Sequence, residues 1–168
     1  RLMVRPHLNS NVFTFFDYEP FKSASIGQVH RASLSTGEEV IVKIKRPNIY
    51  NIMKNDTDNI RQIVEFLEQV GIDTGTNTGY VLDESIEYLL AESDYNKEIS
   101  NAIKFRKALK KVKWIKVPKV YDELCTENMV VMEYVHSEKL MEITDPMVNK
   151  KKVCEALLNS YVIQTMDK

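Results

Sequence analysis

Cysteine and histidine are scarce here, with two Cys and three His in 168 residues. Cys125 and Cys154 stand far apart and form no C-x-x-C, which excludes a disulfide-stapled scaffold and fits two reduced thiols in an intracellular setting. His7, His30 and His136 are scattered, so no metal site is expected. No apolar run approaches the roughly 18 residues that a membrane helix needs, and no secretory signal pattern is visible. Charge of one sign is lacking too: 23 Lys and Arg against 24 Asp and Glu leave a net charge of −1. That balance argues against a chain built as a whole for nucleic acid or an anionic membrane surface, so any such binding must be local. Internal repeats and low-complexity tracts are also missing.

What is present suffices for one ordinary domain, because 43% of the residues are hydrophobic. The chain opens on Arg1 and closes on Met166-Asp167-Lys168 within a helical pattern, so a piece of a longer protein is expected. Residues 13–21 and 27–34 are rich in aromatic or β-branched side chains, and Ser35-Thr36-Gly37 is a turn signal before residues 39–45. Three antiparallel strands are the economical reading. Pro47 ends the third, and Ile60, Ile63, Val64, Leu67 and Val70 then recur at helical spacing within residues 49–70. A polar linker is expected over 73–79 and a second long helix over 81–110, with Glu92, Asp94 and Glu98 on it. On one continuous helix Asp94 and Glu98 would be neighbours on a face. After Pro118, strands are expected at 119–124 and 129–135, then a helical tail over 146–166.

The densest chemistry lies in residues 20–46. A phosphate chain needs backbone N–H groups that approach closely and one positive charge at fixed depth. Ser23, Ala24, Ser25 and Gly27 are small enough to allow that approach. In the run VIVKIK, strand alternation puts Val40, Val42 and Ile44 on one face and Ile41, Lys43 and Lys45 on the other. Lys43 then points into a cleft beneath the turn, or is a solvated strand lysine; the pattern alone leaves both open.

The order of three strands, helices and two strands is that of a protein-kinase small lobe, and the words SASIGQVHRA, VIVKIKRP, ESDYNKEISNAIKF and VPKVYDELCTENMVVMEYV closely resemble the UbiB-like atypical kinases, also called aarF-domain-containing kinases. The resemblance covers about residues 16–140. It implies an α+β chain: a kinase-like N-lobe with a five-stranded antiparallel sheet and long helices over residues 1–135, and the start of a helical C-lobe over 136–168. It implies that Lys22, Ser23, Ala24, Ser25, Ile26, Gly27 and Gln28 form the alanine-rich loop over the phosphates of ATP or ADP. Lys43 would be the strand lysine that meets those phosphates, with Glu98 as its helix partner. Glu92 and Asp94 match the family's regulatory E-x-D element, against which a K-x-G-Q helix docks. Ile26, Val29 and Ile41 would roof the adenine. Met132 would be the gatekeeper, with the Glu133 carbonyl and the Val135 N–H at the adenine edge. The resemblance further implies an ATP-linked transferase or ATPase role in ubiquinone or isoprenoid-lipid metabolism, at mitochondrial, plastid or bacterial membranes, with lipid contacts carried by the rest of the protein.

The sequence departs from the family pattern in three ways. Neither Asp145 nor Asp167 lies in an H-x-D, HPGN or DFG-like context, so the catalytic Asp and the Mg2+ ligands are expected outside this segment, whose own list of catalytic residues is empty. No K-x-G-Q element occurs in these residues. Lys22 stands where the family usually has a small residue, and it reads as pointing to water. Two other function classes stay open. One is a pseudokinase-like binding or scaffold module. The other is an anion-surface binder for RNA or acidic lipid, built on Lys104, Arg106, Lys107, Lys110, Lys111, Lys113, Lys116 and Lys119 with Trp114 among them; its bland counterpart is a solvated helix end.

Overall fold

The computed structural model describes residues 11–72, 78–139, 142–143 and 148–166. Its sheet is built from β1 (Phe13–Phe16), β2 (Lys22–Ser23), β3 (Gly27–Leu34), β4 (Glu39–Lys45) and β5 (Met129–Glu133). All pairings are antiparallel; β1, β3, β4 and β5 lie side by side in that order, and β2 pairs with the start of β3. The β3–β4 hairpin turns on Gly37, whose φ of 97° is a left-handed conformation that glycine adopts without Cβ strain. The class is α+β, as expected, and the architecture is that of a kinase-like N-lobe.

The alternation of β4 sorts the core into two. Val40, Val42 and Ile44 pack with Ala32, Leu34, Met129, Val131 and Tyr121 on one face. On the other, Val130 packs with Ile26, Ile49, Met53, Tyr95 and Ile99. Each cluster is a cross-strand layer of the kind that sets strand register, because a one-residue slip would exchange the two faces.

Four helices complete the described fold: α1 (Ile49–Gln69), α2 (Thr78–Ala91), α3 (Tyr95–Ala108) and α4 (Lys150–Met166). Helix α1 ends in a Schellman turn: Gly71 takes φ 78°, its N–H reaches Glu68 O, and the Ile72 N–H reaches Leu67 O. Arg61 bonds Asp83 at 2.6 Å and ties α1 to α2. Only Ile49, Met53 and Thr57 of α1 are buried, whereas Ile60, Ile63 and Phe66 of its apolar stripe are exposed.

Several expected elements come out differently. Residues 13–21 are not one strand: the Asp17 carboxylate accepts the Glu19 N–H at 3.0 Å, and Pro20 has no N–H to give a ladder, so the strand stops at Phe16 and resumes at Lys22. The helix expected over 81–110 is two, broken at Glu92-Ser93-Asp94. There the Ser93 hydroxyl bonds Leu90 O at 2.7 Å and the Asp94 carboxylate takes the Lys97 N–H at 3.1 Å, so both side chains compete with the helical ladder. The strand expected at 119–124 is a single bridge, Val120 to Met132, followed by a 3₁₀ turn over Asp122–Leu124. Of the linker expected over 73–79, residues 73–77 lie outside the described residues, while Thr78 and Gly79 open α2. The expected helix start at Pro146 also lies outside them; α4 begins at Lys150.

Candidate functional site

The turn between β2 and β3 is held from below by Arg46, the residue that follows β4. Its N–H reaches Ile26 O at 2.8 Å, and its guanidinium donates to Ala24 O at 3.1 Å and to Ser23 Oγ at 3.1 Å. Ala24 N–H closes the turn onto Gly27 O at 2.8 Å. The carbonyls are thus engaged, while the N–H groups of Ser25 and Ile26 make no backbone hydrogen bond within the described residues. Unpaired N–H groups in a tight turn are suited to an anion. Lys22 is exposed, with its Nζ 5.9 Å from the Phe21 ring. Gly27 is required for a local reason: a Cβ there would stand 2.6 Å from Ile44 O and 2.7 Å from the Tyr95 hydroxyl.

Lys43 lies in the row Lys22–Val29–Lys43–Val130 across the sheet, on the face that α3 covers. Its Nζ donates to both carboxylate oxygens of Glu98, at 2.7 and 2.9 Å. The pair is partly screened from water, with side chains 24% and 35% exposed. Tyr95, the first residue of α3, is fully buried beneath it, and the Nζ atoms of Lys43 and Lys45 lie 4.8 and 4.7 Å from its ring. Burial, with the Glu98 charge adding, pushes the Tyr95 phenol well above its ordinary pKa, so the ring stays neutral among these charges.

A cleft of about 540 Å³ opens beside this pair, lined by the loop residues Ala24, Ser25 and Ile26 together with Lys43, Glu92, Asp94, Lys97 and Glu98. The three acids therefore meet at one cleft, although not on one helix: Glu92 lies in the break and Asp94 is the N-cap of α3. A lysine locked by a carboxylate, below a turn with open N–H groups, presents a fixed positive charge to a phosphate-sized anion.

The remaining predicted residues divide. Ile41 and Met132 pair directly in the next row of the same sheet face, whereas Ile26 is buried in the core beneath it. None of Val29, Ile41, Met132 and Val135 lines the cleft beside Lys43. Glu133 pairs with Val40, on the opposite face. Its carboxylate turns away to Lys116 at 2.5 Å and the Lys119 N–H at 3.0 Å, and the Lys116 ammonium is the main cause holding it below the usual carboxylate range. The Tyr134 N–H is taken by Glu39 O at 3.0 Å.

Sequence reasoning missed Arg46 and Tyr95. Arg46 stands three residues after Lys43 and Tyr95 follows the E-x-D acids directly, so position relative to the motifs was the available signal.

Among proteins of known family, the chain matches the ABC1 atypical kinase-like domain over residues 6–168. It is 36% identical over 162 residues to the Arabidopsis thaliana protein ACTIVITY OF BC1 COMPLEX KINASE 8, chloroplastic, covering 93% of this chain and 21% of that protein. It is 33% identical to the probable protein kinase UbiB of Pectobacterium carotovorum, covering 78% of this chain and 24% of that one. A Mycobacterium tuberculosis protein solved in complex with erythromycin superposes with a TM-score of 0.67 at 31% identity, over 84% of this chain and 35% of that one. The chain thus spans about a fifth to a quarter of the curated relatives it matches. With the match running over nearly every residue and the fold agreeing, the chain belongs to the ABC1 family of atypical kinase-like proteins, the UbiB or aarF group.

Proposed function

We propose that this segment is the nucleotide-holding N-lobe of an atypical kinase or ATPase, with ATP or ADP held between residues 22–28, which form the β2–β3 hairpin rather than the expected open loop, Lys43 and the segment that follows β5. The observation that carries the reading is the bidentate Lys43–Glu98 pair beneath the turn of that hairpin. When bound, the nucleotide supplies the phosphoryl chain to be polarised. Lys43 supplies a charge for the α- and β-phosphates, Glu98 aims it, and Arg46 holds in place the turn that lines the cleft. Ile41, Val29 and Met132 offer apolar contact to the adenine, with the Glu133 carbonyl and Val135 N–H at its edge. Glu92 and Asp94, on the cleft rim, are the contacts through which another part of the protein regulates closure. The N-lobe runs over residues 1–135, and 136–168 begins the C-lobe, in whose remainder the Mg2+ ligands and the catalytic Asp reside. The family likeness supports a role of the whole protein in ubiquinone or isoprenoid-lipid metabolism at an organellar or bacterial membrane.

The test is nucleotide affinity of the intact protein, measured by displacement of a fluorescent ADP. Lys43→Ala is expected to weaken binding by about tenfold or more, since hydrogen bonds to charged groups carry that much. Unchanged affinity combined with a large loss of thermal stability would sink the assignment. An intact protein that binds nucleotide yet never turns it over would convert the reading to a pseudokinase module.

A further inference from the structure

The basic stretch after α3 has a definite shape. Arg106, Lys107, Lys110, Lys113, Lys116 and Lys119 line one groove of about 640 Å³, formed by the end of α3, the 3₁₀ turn at Leu109–Lys111 and the strand-like return to Val120. Its floor is apolar: Leu109 is buried, and Val112 and Val120 are half-buried. Glu133 engages Arg106 at 3.7 Å and Lys116 at 2.5 Å, and the Lys119 ammonium lies over the Tyr121 ring at 4.2 Å, which leaves Lys107, Lys110 and Lys113 with neither a ring partner nor a carboxylate at salt-bridge distance among the described residues. Three uncompensated ammonium groups over an apolar floor call for a ligand with both an anionic head and an apolar body. The volume is that of a drug-sized ligand and far exceeds one phosphate ion.

The position of Trp114 decides between the two anions that the sequence left open. Nucleic-acid binding on a basic strip relies on an aromatic ring for base stacking. Trp114 does not line this groove; it lines the adjoining hollow, which shares Ile115, Lys116 and Val117 with the groove and is closed by Phe105 and by Val153, Ala156 and Leu157 of α4. The groove keeps its cations and has no aromatic ring in its lining. We propose that it binds a lipid phosphomonoester, the phosphate among Lys107, Lys110 and Lys113 and the apolar chain along the floor. This site is separate from the Lys43 cleft, and it stands or falls independently of the nucleotide reading.

The test uses the full-length protein and vesicles of phosphatidylcholine, with or without phosphatidic acid, with partition read by sedimentation. Wild type is expected to prefer the vesicles containing phosphatidic acid. Lys107→Glu/Lys110→Glu/Lys113→Glu should lose that preference by at least about tenfold. Lys150→Glu/Lys151→Glu/Lys152→Glu makes the same change in charge on α4 and should retain it. Acidic side chains near a helix C-terminus oppose its dipole, so the triple Lys→Gln variant provides the same comparison if the Glu variant does not fold. Absence of preference in wild type, or equal loss in both triple variants, would overturn the proposal. Soluble dihexanoyl phosphatidic acid should compete at lower concentration than inorganic phosphate; equal competition would reduce the site to a free-phosphate site, and stronger competition by single-stranded RNA would assign it to nucleic acid, either result overturning the lipid. Nucleotide affinity should stay unchanged in the groove variants.

Discussion

Gly27 and Lys43 lie on adjacent strands two register positions apart, Gly27 opposite Lys45 and Lys43 opposite Val29, and answer to different constraints. A methyl group at Gly27 would meet Ile44 O, a backbone atom that cannot step aside, as well as the Tyr95 hydroxyl. Gly27→Ala is therefore expected to cost about 1–3 kcal/mol by overpacking. Tyr95→Phe removes a buried hydroxyl that has no partner among the described residues, but it leaves the Ile44 clash, so the double variant should recover only part of the loss in denaturant unfolding. Lys43→Ala should behave in the opposite way, with nucleotide affinity falling and stability changing by about 1 kcal/mol or less, as for partly exposed ion pairs. His30 gives a pH signature. Its ring is buried against Phe16, Nδ1 donates to Asp17 O at 2.9 Å, and burial is the largest cause holding its pKa below the ordinary 6.5. The unfolded chain then binds more protons between the folded value and 6.5, so stability is full above pH 6.5 and declines as pH falls below it. Thermal melts of His30→Phe and wild type between about pH 5 and 7 should diverge in slope; parallel curves would remove His30 as the cause.

The break between α2 and α3 is the element on which the candidate site turns. Apolar periodicity runs through residues 81–110 without interruption, which is why the sequence reads as one helix, whereas Ser93 and Asp94 carry the local chemistry that stops it. Capping residues inside a periodic stretch are a weaker signal than the period, so the break was legible only in hindsight from the S-D pair. Asp94→Ala should lower stability by about 1 kcal/mol through the lost cap, while Asp94→Ser should keep the cap. Any change in nucleotide turnover common to both variants would then mark a role of the carboxylate at the cleft rim rather than of the helix end. Shortening of the strand after Pro118 has a similar origin, because the chain turns into 3₁₀ conformation at Asp122 as soon as two ladder bonds are made.

Across the whole molecule the sheet separates a structural face from a site-bearing face. Val130 and Val131 are adjacent, equally buried and of equal size, yet Val131 packs with the Val42 cluster and Val130 with Tyr95 and Ile99 of α3. Either Val→Ala change should cost about 2 kcal/mol in transfer and cavity terms. Only Val130→Ala should also weaken nucleotide binding, since it loosens the packing that seats Glu98 against Lys43. Equal affinity in the two variants would show that α3 is held by other contacts.

The alternation of Val40 to Lys45, the helical period of residues 49–69 and the kinase-like order of elements were determined by local covalent geometry acting on side-chain polarity, and all three are readable along the chain. The meeting of Lys43 with Glu98, 55 residues apart, needed the matching of whole motifs before it could be expected, because no local period links two such positions. The division of the basic strip was beyond any sequence pattern. Whether Trp114 stands among the lysines or faces α4 depends on how the return after α3 packs, and packing between distant elements is a property of the assembled fold.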